Sequence, residues 1–130
     1  MLKKALVTLA ILGISGYLPA ASWIKDGQAL GRIYVPEQLD RPILLAVQEL
    51  QYHLKAMTGA DVQLAWRNPN NKDCGLELKV RPQSEWQGRE SSQAFTITET
   101  ARPCPRVTIA GNTPLAVLYG VYQYLGDQGV

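Results

Sequence analysis

Histidine occurs once in these 130 residues and cysteine twice. His53 stands alone and Cys74 and Cys104 lack CxxC spacing, so the sequence cannot assemble the three or four nitrogen and sulfur ligands of a zinc centre. No metal site is expected. Apolar runs are equally scarce: Ala5 to Ile14 is far short of the roughly 20 residues a membrane-spanning helix needs, and nothing longer follows. No membrane span is expected. Basic runs are missing as well, which removes the electrostatic footprint of a nucleic-acid-binding protein. The formal charge of +2 is supplied by Lys3 and Lys4, and without them eleven basic residues face eleven acidic ones. There is no G-x-S-x-G, no Gly-rich phosphate loop and no Cys/His pairing, so no cofactor is expected either.

Carboxylates are present but scattered. A glycosidase needs two held at fixed separation across the scissile bond. Glu77 and Glu99 fall at outward or terminal strand positions, Asp61 and Asp127 follow helix ends, and Asp73 belongs to a turn. Each reads as a solvated surface or turn residue. His53 follows Glu49 by one helical turn, a surface pair worth a few tenths of a kcal/mol. The chain is also too short for a catalytic barrel, which takes about 250 residues. Intrinsic catalysis is not expected of this segment.

At the front, Lys3 and Lys4, the apolar run and the small-residue region SGYLPAAS have the layout of a secretory signal peptide, assigned to residues 1–22. Cleavage can follow Ala20 or Ser22, and no cysteine is placed for a lipid anchor. The expectation is export, to the periplasm or the extracellular space. Residues 23–130 then form one domain with a single modest core. In an oxidising compartment Cys74 and Cys104 can close a loop of about 30 residues, worth about 3 kcal/mol in the chain-entropy model, or remain two free thiols in neighbouring loops.

The periodicities divide that domain. ALGRIYVP reads as a first strand that Pro36 ends. Asp40 and Pro42 then open a helix with Ile43, Val47, Leu50, Leu54 and Met57 on one side, closed by Thr58-Gly59. Val62, Leu64 and Trp66 alternate with polar or small residues in a second strand. After the polar turn RNPNNKDCG, Leu76, Leu78 and Val80 form a half-buried third strand. PQSEWQGRESS is a loop, Phe95 and Ile97 begin another strand, ARPCP turns, and Val107 and Ile109 run into Gly111. Asn112 or Thr113 caps the last helix, whose buried stripe is read as Leu115, Leu118, Tyr122 and Leu125. Tyr119 and Tyr124 flank it. Gly120, costly in a helix interior, implies a close approach to the sheet. Hairpin-like connections suggest that much of the sheet is antiparallel, with the first helix as a parallel crossover. The expected architecture is a two-layer α/β sandwich: a mixed sheet with two helices on one face. Among the aromatic residues, Trp86 in the polar loop is the candidate for exposure and for stacking on a sugar ring.

Four segments, RIYVP, AVQELQYHLKAMTGADVQL, QAFTIT and VTIAGNTPLAVLYGVYQYLGDQGV, together resemble the N-terminal domain of the alpha-glucuronidase family. That domain is similar to the accessory domain that precedes the barrel in beta-N-acetylhexosaminidases. Val117 departs from the pattern, which has a glycine near that position. The resemblance implies a non-catalytic domain of an exported glycoside hydrolase engaged in xylan or other plant or microbial polysaccharide breakdown. Its partner is a C-terminal catalytic barrel that carries the active-site carboxylates, and the chain then ends at Val130 where such relatives continue. The alternative expectation is a stand-alone exported module that binds a carbohydrate or a protein through Trp86 and nearby loops.

Overall fold

The computed structural model describes residues 22–81 and 93–130. The leader 1–21 and the segment 82–92, which contains Trp86, lie outside the described residues. Among the described residues, seven strands and two helices follow one another: β1 (Ile24–Lys25), β2 (Gln28–Ala29), β3 (Arg32–Tyr34), α1 (Arg41–Thr58), β4 (Leu64–Ala65), β5 (Gly75–Val80), β6 (Phe95–Thr100), β7 (Arg106–Gly111) and α2 (Pro114–Asp127). β1 and β2 pair as a small antiparallel ribbon, and the others form a five-stranded sheet in the order β4-β3-β5-β7-β6.

Three of the four pairings in that sheet are parallel, and only β6 runs against β7. This corrects the expectation of a largely antiparallel sheet. β7 inserts between β5 and β6, so the strand that follows β5 in the chain is not its neighbour. The burial of β7 explains the order. Val107, Ile109, Ala110 and Gly111 are all buried, as a central strand requires, whereas FTITET in β6 is half-buried to exposed and suits an edge.

α1 begins where Pro42 can occupy the first turn and stops at Gly59, whose φ of 82° supplies the left-handed cap; its N–H donates to the Lys55 carbonyl at 2.8 Å. Its buried residues are Ile43, Ala46, Val47, Leu50 and Leu54. α2 is capped by Thr113, whose hydroxyl accepts from the Ala116 N–H at 3.0 Å. The register puts Ile33, Leu76, Leu78, Val107, Ile109 and Ile97 on one face of the sheet, and both helices lie side by side against it.

Gly120 fixes how α2 sits. A Cβ there would lie 2.6 Å from Ile109 Cγ2 and 3.2 Å from the Phe95 ring, so the helix touches the sheet at this point. The consequence is a rotation of the buried stripe from the one read in the sequence. Tyr124 is buried and Tyr122 is 44% exposed, the reverse of the expected arrangement, while Val117 and Val121 join Leu118 and Leu125 in the core. A helix this apolar all round leaves its phase to be set by the closest approach. Three strand expectations also change: Leu30 and Val80 are exposed, and Trp66 is 60% exposed because β4 ends at Ala65. Trp23, fully buried, plugs the core from the β1 side.

Candidate functional site

The opposite face of the sheet is where polar chemistry collects. Register aligns Arg32, Gly75, Arg106 and Thr100 in one row across β3, β5, β7 and β6, and Tyr34, Glu77, Thr108 and Thr98 in the next. Sequence patterning marked Glu77 as outward-facing but gave no sign that Arg32 and Arg106 belong together. Only strand order reveals it, because the two are separated by 74 positions in the chain and by one strand in the sheet.

The strand between them has no side chain in that row. Gly75 has φ of 123°, and a Cβ would lie 2.2 Å from the Arg32 carbonyl oxygen, so no other residue fits. The loop before Gly75 curls over the same face. Arg106 Nη1 donates to the carbonyls of Asn70 at 2.7 Å and Asp73 at 3.4 Å. Arg67 Nη1 pairs with Asp73 Oδ2 at 2.9 Å, and the Arg67 guanidinium lies 5.3 Å from the centre of the Tyr34 ring. Glu77 accepts from the Thr108 hydroxyl at 3.4 Å.

These contacts set the charge states. The hydrogen bond from Arg67, helped by the Asn70 backbone N–H, holds the Asp73 carboxyl below the usual carboxylate range. The same bond raises Arg67. Burial pushes the Tyr34 hydroxyl up and the Asp73 charge adds to it, while Arg67, Arg32 and Arg106 all pull the other way. Three guanidinium groups therefore act on one phenol.

Cys74 and Cys104 are joined as a disulfide, with Cα atoms 5.1 Å apart, directly beside this cluster. The bridge links the residue before β5 to the turn before β7, where Gly75 N–H also donates to the Pro105 carbonyl. Trp86 lies outside the described residues. His53 and Glu49 form an i, i+4 pair at 3.5 Å on α1. Among the described residues no three His, Cys, Asp or Glu side chains are grouped to hold a metal ion.

The residues singled out in GNTP and LYGVY serve packing. The Asn112 side-chain oxygen accepts from the Ala94 N–H at 3.1 Å, Thr113 caps α2, and Gly111 and Gly120 admit close contacts that a Cβ would block. Tyr119 and Tyr122 are the exceptions, at 43% and 44% exposed. Two further surfaces stand out. A cleft of about 610 Å³ runs between α1 and the segment after it, lined by Gln51, Tyr52, Lys55, Asp61, Val62 and Gln63, with Tyr52 70% exposed. A crevice of about 530 Å³ opens at the carboxyl ends of β3 and β5, where the chain leaves in opposite directions along the sheet, with Glu37, Asp40 and Lys79 in its wall. The chain matches no known family model, and no curated protein is detectably similar to it.

Proposed function

We infer that this chain is the non-catalytic N-terminal domain of an exported, alpha-glucuronidase-like glycoside hydrolase that takes part in xylan or related polysaccharide breakdown. The observation that carries the reading is α2. Its inward residues close the core, while Tyr119 and Tyr122 keep large aromatic surface on the outer side of the same helix. Tyrosines of that kind are the side chains that interfaces favour. A sheet with both helices against one face agrees with the domain that the GNTP and LYGVY segments resemble. In this reading the barrel that follows α2 supplies the carboxylates, and this domain braces it.

Sequencing the gene beyond the Val130 codon tests the proposal. The expected result is an open frame encoding a barrel, and in the whole hydrolase Tyr119→Ser with Tyr122→Ser should lower thermal stability without altering the pH profile of activity. An immediate stop codon with no barrel-encoding frame beside it would overturn the reading.

A second reading rests on Tyr52. An exposed ring beside Gln51, Lys55, Asp61 and Gln63 has the composition of a sugar-binding cleft, in the manner of a stand-alone carbohydrate-binding module. Titration of the protein with xylan and chitin oligosaccharides should show saturable binding that Tyr52→Ala abolishes. Binding that is lost instead on Trp86→Ala would move the module's site to that loop, and no binding at all would remove the module.

A further inference from the structure

We propose that the face of the sheet opposite the helices holds a tetrahedral oxyanion between Arg32 and Arg106, in the row where Gly75 contributes no side chain. The inference is independent of the hydrolase reading. It rests on where charge is and is not compensated. Of the acidic groups facing the cluster, Asp73 is committed to Arg67 and to the Asn70 N–H, and Glu77 accepts from Thr108. Arg106 donates only to neutral carbonyls. The Arg32 side chain is exposed and has no hydrogen-bond or ion-pair partner among the described residues. Two guanidinium side chains thus rise from the same row of one sheet face without an ion pair of their own, Arg106 feeling the Asp73 charge only at longer range.

The spacing suits a bound ion. Strands lie about 4.8 Å apart, so Arg32 and Arg106 start roughly 10 Å from each other across β5, a gap that two long side chains close onto one small anion. Gly75 adds no side chain to the row, because a Cβ there would meet the Arg32 backbone at 2.2 Å. The donors come from opposite sides, with the Thr100 hydroxyl in the same row beyond Arg106. An acceptor with oxygens pointing in several directions can meet both guanidinium groups and the Thr100 hydroxyl together, whereas a carboxylate offers two oxygens in one plane. The ligand class is phosphate or sulfate, either free or carried as an ester on a larger molecule.

The disulfide gives the site its rigidity. It ties the residue before β5 to the turn before β7, which holds the Arg106 side in place, while β3 with Arg32 is held by its pairing with β5.

The test is thermal unfolding of the disulfide-intact protein in inorganic phosphate and in sulfate, against sodium chloride at matched ionic strength. Anions that bind only the folded state raise Tm by mass action, on the order of 5 °C at tenfold excess over Kd for a domain of this size. That rise should occur in phosphate and sulfate, be absent in chloride and acetate, and fall at least tenfold in apparent affinity for Arg32→Ala. Arg32 is exposed, so the variant folds; Lys25→Ala, on the β1–β2 ribbon, should behave as the parent. Equal effects of chloride and phosphate, or full retention of the phosphate effect in Arg32→Ala, would overturn the proposal. A parallel titration with a sugar phosphate separates the sources: tighter binding than inorganic phosphate identifies an ester ligand, and equal binding identifies the free ion. An acetate response equal to that of phosphate would refute the tetrahedral assignment.

Discussion

Two glycines in one helix make opposite demands. At Gly120 an added methyl would sit 2.6 Å from Ile109 Cγ2, whereas at Gly126 nothing lies within 4 Å. Gly120→Ala should therefore destabilise by about 1–3 kcal/mol through overpacking. Gly126→Ala should stabilise by up to about 1 kcal/mol, since only helix propensity changes. Urea denaturation of the two variants reads the sign directly. Tyr124 provides a second test at this scale. Burial pushes its hydroxyl up to about 12, with the Glu99 charge adding to the rise and the Trp23 indole N–H opposing it. The indole and the hydroxyl approach one another, yet neither buried atom has a partner at hydrogen-bonding geometry. Because the folded value exceeds the unfolded value near 10, the neutral phenol's contribution is complete below pH 10 and disappears as pH climbs from 10 through 12. Two units correspond to about 2 to 3 kcal/mol. Tyr124→Phe should lose less stability between pH 9 and pH 12 than the parent, as measured by urea midpoints.

Among the elements, helices were legible in the sequence and strand neighbours were not. Asp40, Pro42 and Thr58-Gly59 mark α1 at its observed ends because caps are local chemistry. Strand pairing is decided by which strand can be buried on both faces, and that property of VTIAG shows in composition only after one asks which strand is central. The same gap hid the cluster around Tyr34: Arg32, Arg67 and Arg106 sit on separate elements, and no spacing rule joins them. The phase of α2 was ambiguous because apolar residues surround it, and contact at Gly120 resolved it. The disulfide acts between elements, closing a separation of 30 residues from the start of β5 to the approach to β7. Its removal by Cys74→Ala with Cys104→Ala should cost about 3 kcal/mol. A thermal scan comparing this double variant with the parent checks the magnitude, and an unchanged Tm would show that the sheet holds β5 against β7 unaided.

For the molecule as a whole, the division of labour lies between two faces of one sheet. One face carries both helices and the core, and the other carries the arginines, the threonines and the curled loop of residues 67–73. A core of this size leaves a margin of stability on the order of 5–15 kcal/mol, so each large buried side chain matters. Trp23 is the extreme case. It is fully buried although it stands at the beginning of the described domain, one residue after Ser22, whose hydroxyl donates to Glu99 at 3.0 Å. The first turn of the domain is therefore part of its core. Trp23→Ala should cost about 3–5 kcal/mol, a large share of that margin, whereas Trp66→Ala, at a residue 60% exposed, should change little. Circular dichroism during urea unfolding distinguishes the two. If Trp23→Ala left the midpoint unchanged, the β1–β2 ribbon would have to be an appendage, and the core would have to close at β3 without it.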